Sequence, residues 1–141
     1  MELLRQVNMV HHKGRPDLFR KGKTKYTASE LLEILQDEST PVFVYVDENA
    51  NILGHGFCIR EHITGHNMHE HDTLYIDDIC VDETSRRQGV GEALYLYIKA
   101  YAQKTGCYNL TLNVWSLNEN AAKFYEKMGL KPYKVRMEEV L

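Results

Sequence analysis

One junction constrains this chain more than any other. The apolar residues Leu74, Ile76, Ile79 and Val81 describe a largely buried strand from Thr73 to Val81. Arg86-Arg87-Gln88-Gly89-Val90-Gly91 follows, and Leu94, Ile98, Tyr101 and Ala102 then share one face of a helix predicted from Gly91 to Thr105, which Gly106 stops. A glycine turn between a buried strand and a helix lets main-chain N–H groups converge on one point, where the helix N-terminus adds partial positive charge. The guanidinium groups of Arg86 and Arg87 bring charge-assisted donors to the same edge. Such a concavity suits a phosphate or a diphosphate. The segment lacks Gly-Lys-Ser/Thr and Gly-x-Gly-x-x-Gly, so neither a nucleoside triphosphate P-loop nor a dinucleotide fingerprint is present. Taken alone, the hexapeptide reads equally well as an ordinary strand-to-helix turn with surface arginines.

The remaining elements follow from periodicity. Leu3, Leu4, Val7 and Val10 keep helical spacing, so the sequence opens inside an amphipathic helix ending near Gly14. Thr27 or Ser29 caps a short helix carrying Leu31, Leu32, Ile34 and Leu35 that stops before Pro41. Runs at 42–46 and 52–59 flank the turn residues Asp47 to Asn51 and read as a hairpin. Asn109 to Trp115 alternates as a strand, Asn118 caps a helix over Glu119 to Met128, and a last strand is predicted over Tyr133 to Glu138. The order implies a mixed α/β sheet with helices on both faces and one right-handed parallel crossover at its centre.

Composition excludes several function classes. The 141 residues, 43% hydrophobic and 26% charged, suit one soluble domain, 1–141, able to bury a core without metal or disulfide. A net charge of −3 leaves no basic footprint for nucleic acid, and neutral or cationic partners are expected. No apolar run approaches the ~20 residues of a membrane span. Cys58, Cys80 and Cys107 form no Cys-x-x-Cys pair and no secretory leader is evident, which points to a reducing cytoplasm.

Four candidates could carry chemistry. Asp77 and Asp78 interrupt an apolar strand; successive strand residues alternate between faces, so only one is expected in a given cleft. Either could instead cap a loop or pair with a neighbouring arginine. His62, His66, His69 and His71, with Glu70, match no zinc spacing and read as a solvated hairpin loop, so no metal is expected. Cys80 has no base at a recognisable spacing, and a buried strand thiol is inert. Tyr125, from its neighbours Ala121 and Met128, reads as a core aromatic on a helix face.

With these residues in view, the sequence resembles the GNAT superfamily of acetyl-CoA-dependent N-acetyltransferases. Arg86-x-x-Gly89-x-Gly91 matches the family's diphosphate signature, Gln/Arg-x-x-Gly-x-Gly/Ala, preceded by the strand Tyr75 to Val81. Asn113-Val114-Trp115, followed by Asn118, Ala121, Phe124, Tyr125 and Met128-Gly129, resembles its second conserved block. The resemblance implies acetyl-CoA as acetyl donor, with main-chain groups of Ile79, Cys80 and Val81 pairing with the pantetheine arm. Arg86, Arg87, Gln88, Gly89, Val90, Gly91 and Glu92 would surround the diphosphate, with Asn118, Ala121 and Tyr125 further along the cofactor. Tyr125 would lie near the sulfur, where a phenol with a pKa of ~10 can protonate a leaving thiolate.

The acceptor amine must first lose a proton. Polyamine acetyltransferases carry Glu-Asp in the corresponding strand, which implies Asp77 as base, Asp78 as a second acidic contact and Asn113 at the acceptor side. The implied substrate is a small cationic primary amine, polyamine or lysine-like; a peptide or protein amine, or a non-catalytic acyl-CoA sensor, are the alternatives. In relatives a strand precedes the first helix. Here Met1 falls where that helix has already begun, so either the chain is natively short or its start lies further upstream; the resulting sheet edge could stay open, be covered by the C-terminal strand or be supplied by a second subunit, and a homodimer is expected.

Overall fold

The computed structural model describes residues 1–141. Its elements are α1 (Glu2–Gly14), α2 (Ala28–Gln36), β1 (Val42–Val46), β2 (Ile52–Ile63), β3 (His71–Val81), a short 3-10 turn at Glu83–Ser85, α3 (Val90–Lys104), β4 (Asn109–Leu112) and α4 (Glu119–Lys127). One four-stranded sheet has the order β1-β2-β3-β4; the first two pairings are antiparallel and β3 pairs with β4 in parallel. No helix is long and apolar enough to cross a membrane.

Local chemistry accounts for most boundaries. Thr27 caps α2 through a reciprocal capping box with Glu30. Asn118 caps α4, its side-chain oxygen accepting from the Ala121 amide at 3.2 Å. Gly106 and Gly129 adopt left-handed φ just beyond α3 and α4.

The faces of the sheet are set by β2, whose residues from Gly54 to Cys58 are all buried. On one face lies α3: a side chain at Gly56 would sit 2.6 Å from Ile98, and one at Gly54 2.9 Å from Leu94, so absent side chains let the helix descend onto the strand. Cys58, Leu74, Ile76, Tyr95, Ile98 and Ala102 form the core there. On the opposite face Cys80 lies against α1, its Sγ donating to the Leu3 carbonyl at 3.3 Å. Helices therefore cover both faces, as expected. Leu74 is fully buried in the α3 face. Leu74→Ala is expected to lower unfolding free energy by about 2–5 kcal/mol, measured by denaturant titration.

Three expectations need correction. No strand forms at Tyr133 to Glu138; the chain beyond Leu130 runs without regular structure, with Tyr133, Val135 and Met137 exposed. Alternation supplied the strand pattern, but no neighbouring edge supplies its hydrogen bonds. The tail is instead tied back by Glu138, which accepts two hydrogen bonds from Arg15 at 2.8 and 2.9 Å. β4 ends at Leu112 rather than Trp115, and Asn113 donates to the Tyr75 hydroxyl at 3.2 Å.

The third correction concerns the aspartates. Phe57 pairs with Asp78 and Cys58 with Ile76, so Asp77 is the extra residue of a β-bulge. Ile76 and Ile79 both face α3, leaving Asp77 and Asp78 together on the other face. Strict alternation would have separated them.

Candidate active site

The bulge lies where the sheet opens. Parallel pairing of β3 with β4 runs from Thr73↔Asn109 to Ile76↔Leu112 and stops one residue before Asp77. Beyond that point β3 keeps only β2 as a neighbour. The Asp82 amide donates to the Leu53 carbonyl at 2.8 Å. By the two-residue alternation of an antiparallel ladder, Cys80 also faces β2, while main-chain groups of Ile79 and Val81 turn toward the side that β4 has left. An extended ligand can be paired there as an added strand.

The turn after β3 ends on the same side. Arg87 and Gly89 both adopt left-handed φ, 65° and 78°. A side chain at Gly89 would meet no atom within 4 Å, so this glycine serves backbone conformation and ligand access rather than packing. Gly91 differs: a Cβ there would make ordinary contacts, 3.4 Å from Val81 and 3.6 Å from Phe124, where α3 passes β3 and α4. None of the main-chain amides from Arg86 to Glu92 donates to a protein acceptor; the first helical bond is Ala93 to the Gly89 carbonyl at 3.0 Å. Seven consecutive unsatisfied donors at a helix N-terminus, beside two arginines, suit a diphosphate.

Both aspartates are closely held. Asp78 Oδ2 lies 2.9 Å from His55 Nε2, and both side chains are nearly excluded from solvent. His55 stacks on Phe57 with centroids 4.5 Å apart, and Phe57 meets Tyr26. Asp78 Oδ1 has no protein donor, whereas both oxygens of Asp77 are engaged. Lys25 Nζ donates to its Oδ1 at 2.6 Å, and the Tyr26 hydroxyl donates to its Oδ2. Lys25 also reaches the Asp77 carbonyl at 3.2 Å.

Lys25 and Tyr26 end a strap that leaves α1 at Gly14 and crosses this face to α2. Phe19 pins the strap by packing edge-on against Trp115 at 5.2 Å and, with its ring tilted, against His11 at 5.0 Å. Sequence reasoning missed Lys25, Tyr26 and His55. A basic residue before an aromatic in a loop carries no recognisable spacing, and His55 looked like one residue of an apolar hairpin strand.

Tyr125, on α4, is half-buried, with its ring edge-on to Phe124 at 5.2 Å. Burial raises its phenol above the ordinary tyrosine value, and the charge of Asp78 adds to the rise. Burial likewise pushes the Cys80 thiol up to about 12, which leaves no thiolate at neutral pH. His62 and His71 lie within β2 and β3 rather than in a loop, because the two strands pair as far as Ile63↔His71; His62 uses both ring nitrogens on carboxylates, Asp72 at 2.6 Å and Glu70 at 2.8 Å. No three His, Cys, Asp or Glu side chains converge into a metal-binding group.

The fold is shared with known proteins. A mutant of the BH1408 protein from Bacillus halodurans superposes with a TM-score of 0.94 at 31% identity, covering 99% of this chain and 90% of that one. The glucosamine 6-phosphate N-acetyltransferase of Trypanosoma brucei brucei is 32% identical over 63 residues, 45% of this chain and 41% of the relative. L-ornithine N5-acetyltransferase NATA1 of Arabidopsis thaliana is 38% identical over 61 residues, 43% of this chain and 27% of the relative. The matched segments thus span less than half the length of these two curated relatives. The model of the acetyltransferase (GNAT) family matches residues 9–130, nearly the whole length and both blocks that carried the resemblance, and the chain belongs to that family.

Proposed function

We propose that this protein transfers an acetyl group from acetyl-CoA to the primary amine of a small molecule, both reactants held at the opening between β3 and β4. The observation that carries the reading is the run of unpartnered amides from Arg86 to Glu92, contiguous with the free edge of β3. Acetyl-CoA supplies the acetyl group as a thioester and leaves as the thiol. The amides of the turn, with Arg86 and Arg87, hold its diphosphate, and the outward main-chain groups of Ile79 and Val81 pair its pantetheine arm. The Asn118 oxygen is spent on capping α4, so its Nδ2 is the atom left for the arm.

The acceptor's amine sheds its proton to the aspartate pair. Asp77 is fully engaged by the strap, so Asp78, with Oδ1 open, takes the proton and Asp77 anchors Lys25 and Tyr26. The Tyr125 phenol, held protonated by its burial, is the donor to the departing sulfur. Asn113 lies on the acceptor side, fixed by Tyr75. Glucosamine 6-phosphate and ornithine, named for the relatives, are both small primary amines, which supports that acceptor class. A homodimer remains our proposal for assembly, because β1 and β4 each leave one edge unpaired.

Acetyl-CoA should raise the melting temperature, and thiol release from it should appear with one or more members of a panel of small amines. Stabilisation without release across the panel would favour an acyl-CoA sensor, and the absence of both stabilisation and release would overturn the reading. Tyr125→Phe is expected to lower kcat by roughly 10-fold to 100-fold, below a full general-acid contribution because water can replace the phenol. CoA affinity should not change. Equal turnover in both proteins removes Tyr125 from proton transfer.

A further inference from the structure

The strap over the aspartates carries a charge opposite to that of the chain. Residues 13–25 include Lys13, Arg15, Arg20, Lys21, Lys23 and Lys25 against a single acid, Asp17, within a protein of net charge −3. Arg15 is committed to Asp17 and Glu138, but Arg20, Lys21 and Lys23 have no carboxylate within salt-bridge distance. The strap is fixed at the opening by Phe19 on Trp115 and by Lys25 and Tyr26 on Asp77.

Lys25 is the point where this charge meets the site. Its side chain is 44% exposed, while that of Asp77 is 10% exposed and that of Asp78 11%. Positive charge therefore lies toward solvent and negative charge below it. An ammonium has three N–H donors, and Lys25 directs two contacts to Asp77, one to Oδ1 and one to the carbonyl. One donor remains, on a half-exposed group at the rim.

A polyamine entering this site places one ammonium near the aspartates and its second against a lysine with further cations along the same segment. A molecule with an amine at one end and an anion at the other meets complementary charge at both depths. We infer that the acceptor is an amine bearing an anionic group, carboxylate or phosphate, which the rim cation Lys25 recognises while the amine reaches Asp78. This deepens the proposed transferase reading and rests on its placing of the acceptor amine at the aspartate pair. Lys25 is thus a specificity-determining residue, and polyamines are poor acceptors.

Matched pairs differing only in the anion test this. Ornithine is set against putrescine, lysine against cadaverine, and glucosamine 6-phosphate against glucosamine. For each, kcat and KM come from thiol release, and calorimetric titration of the CoA-loaded protein gives affinity independently of turnover. The anionic member of at least one pair should exceed its partner about 10-fold in kcat/KM, the low end for a hydrogen bond to a charged group. The amino acid and sugar phosphate pairs tell carboxylate from phosphate recognition.

In Lys25→Met that ratio should shrink at least several-fold, through KM and not kcat, with CoA affinity unchanged. Circular dichroism checks that the variant folds; should it not, Lys25→Gln replaces it, and the wild-type ratios stand on their own. Equal or better use of the anion-free partner in every pair overturns the inference. So does a Lys25→Met effect equal for both members, or one expressed as lost CoA affinity. If CoA stabilises the protein but no member of any pair binds or reacts, the acceptor assignment falls and the cofactor reading stands. If CoA gives no stabilisation, the transferase reading itself has failed.

Discussion

Asp78→Asn should lower kcat by about 10²–10⁴-fold, the usual range for removing a general base, while leaving the stabilisation by CoA intact. The substitution is nearly isosteric. The amide can still meet His55 Nε2, now 2.9 Å from the carboxylate, so the local geometry should survive even though the proton acceptor is gone. Asp77→Asn should behave differently. Its carboxylate holds Lys25 and Tyr26, and weakening both contacts loosens the strap, which raises KM more than it lowers kcat. Steady-state kinetics of the two variants, paired with urea titration to exclude unfolding, distinguish base from anchor. If the large kcat loss falls on Asp77→Asn and the KM effect on Asp78→Asn, the roles are reversed.

That Asp77 and Asp78 share one face was not legible in the sequence, and the reason is physical. The run of apolar residues correctly located β3 and the two acids that interrupt it. Period-two alternation then predicted that the acids would point apart. A β-bulge defeats alternation by one residue; the apolar positions change phase between Leu74, Ile76 and Ile79, Val81, but the register shift between Phe57 and Cys58 that fixes the extra residue becomes visible only when β2 is laid beside β3. The same limit explains the missing last strand. Tyr133, Val135 and Met137 alternate as a strand should, yet a strand is a pairing, and a single segment cannot show whether an edge awaits it.

Helix ends were legible because their causes are local: Thr27 with Glu30, Asn118 with the Ala121 amide, Gly106 and Gly129 at left-handed φ. The turn at 86–91 was readable for the same reason, since glycine and helix polarity act within a few residues. Lys25, Tyr26 and His55 reach the site across 52, 51 and 23 positions of chain, distances at which sequence spacing carries no geometric information.

The turn also yields the other large expected effect. Gly89→Glu should abolish stabilisation by CoA, a melting shift of roughly 10 °C at ligand concentrations near 100 times Kd for a domain of this size. Gly89 sits at φ 78°, so any side chain there carries left-handed strain, and the variant should melt somewhat lower without ligand. The fold itself should persist, because no atom lies within 4 Å of where the new Cβ would stand. What changes is the space in front of the amides from Arg86 to Glu92, where a carboxylate now competes for the donors and repels a diphosphate. Gly89→Ala separates the two costs: it brings the same backbone strain with neither charge nor reach, so it should retain most of the shift. Differential scanning fluorimetry of the three proteins with and without CoA gives the answer. A full shift in Gly89→Glu would mean that the diphosphate lies elsewhere, whereas loss in both variants would make the left-handed backbone, rather than the open space before it, the feature the ligand requires.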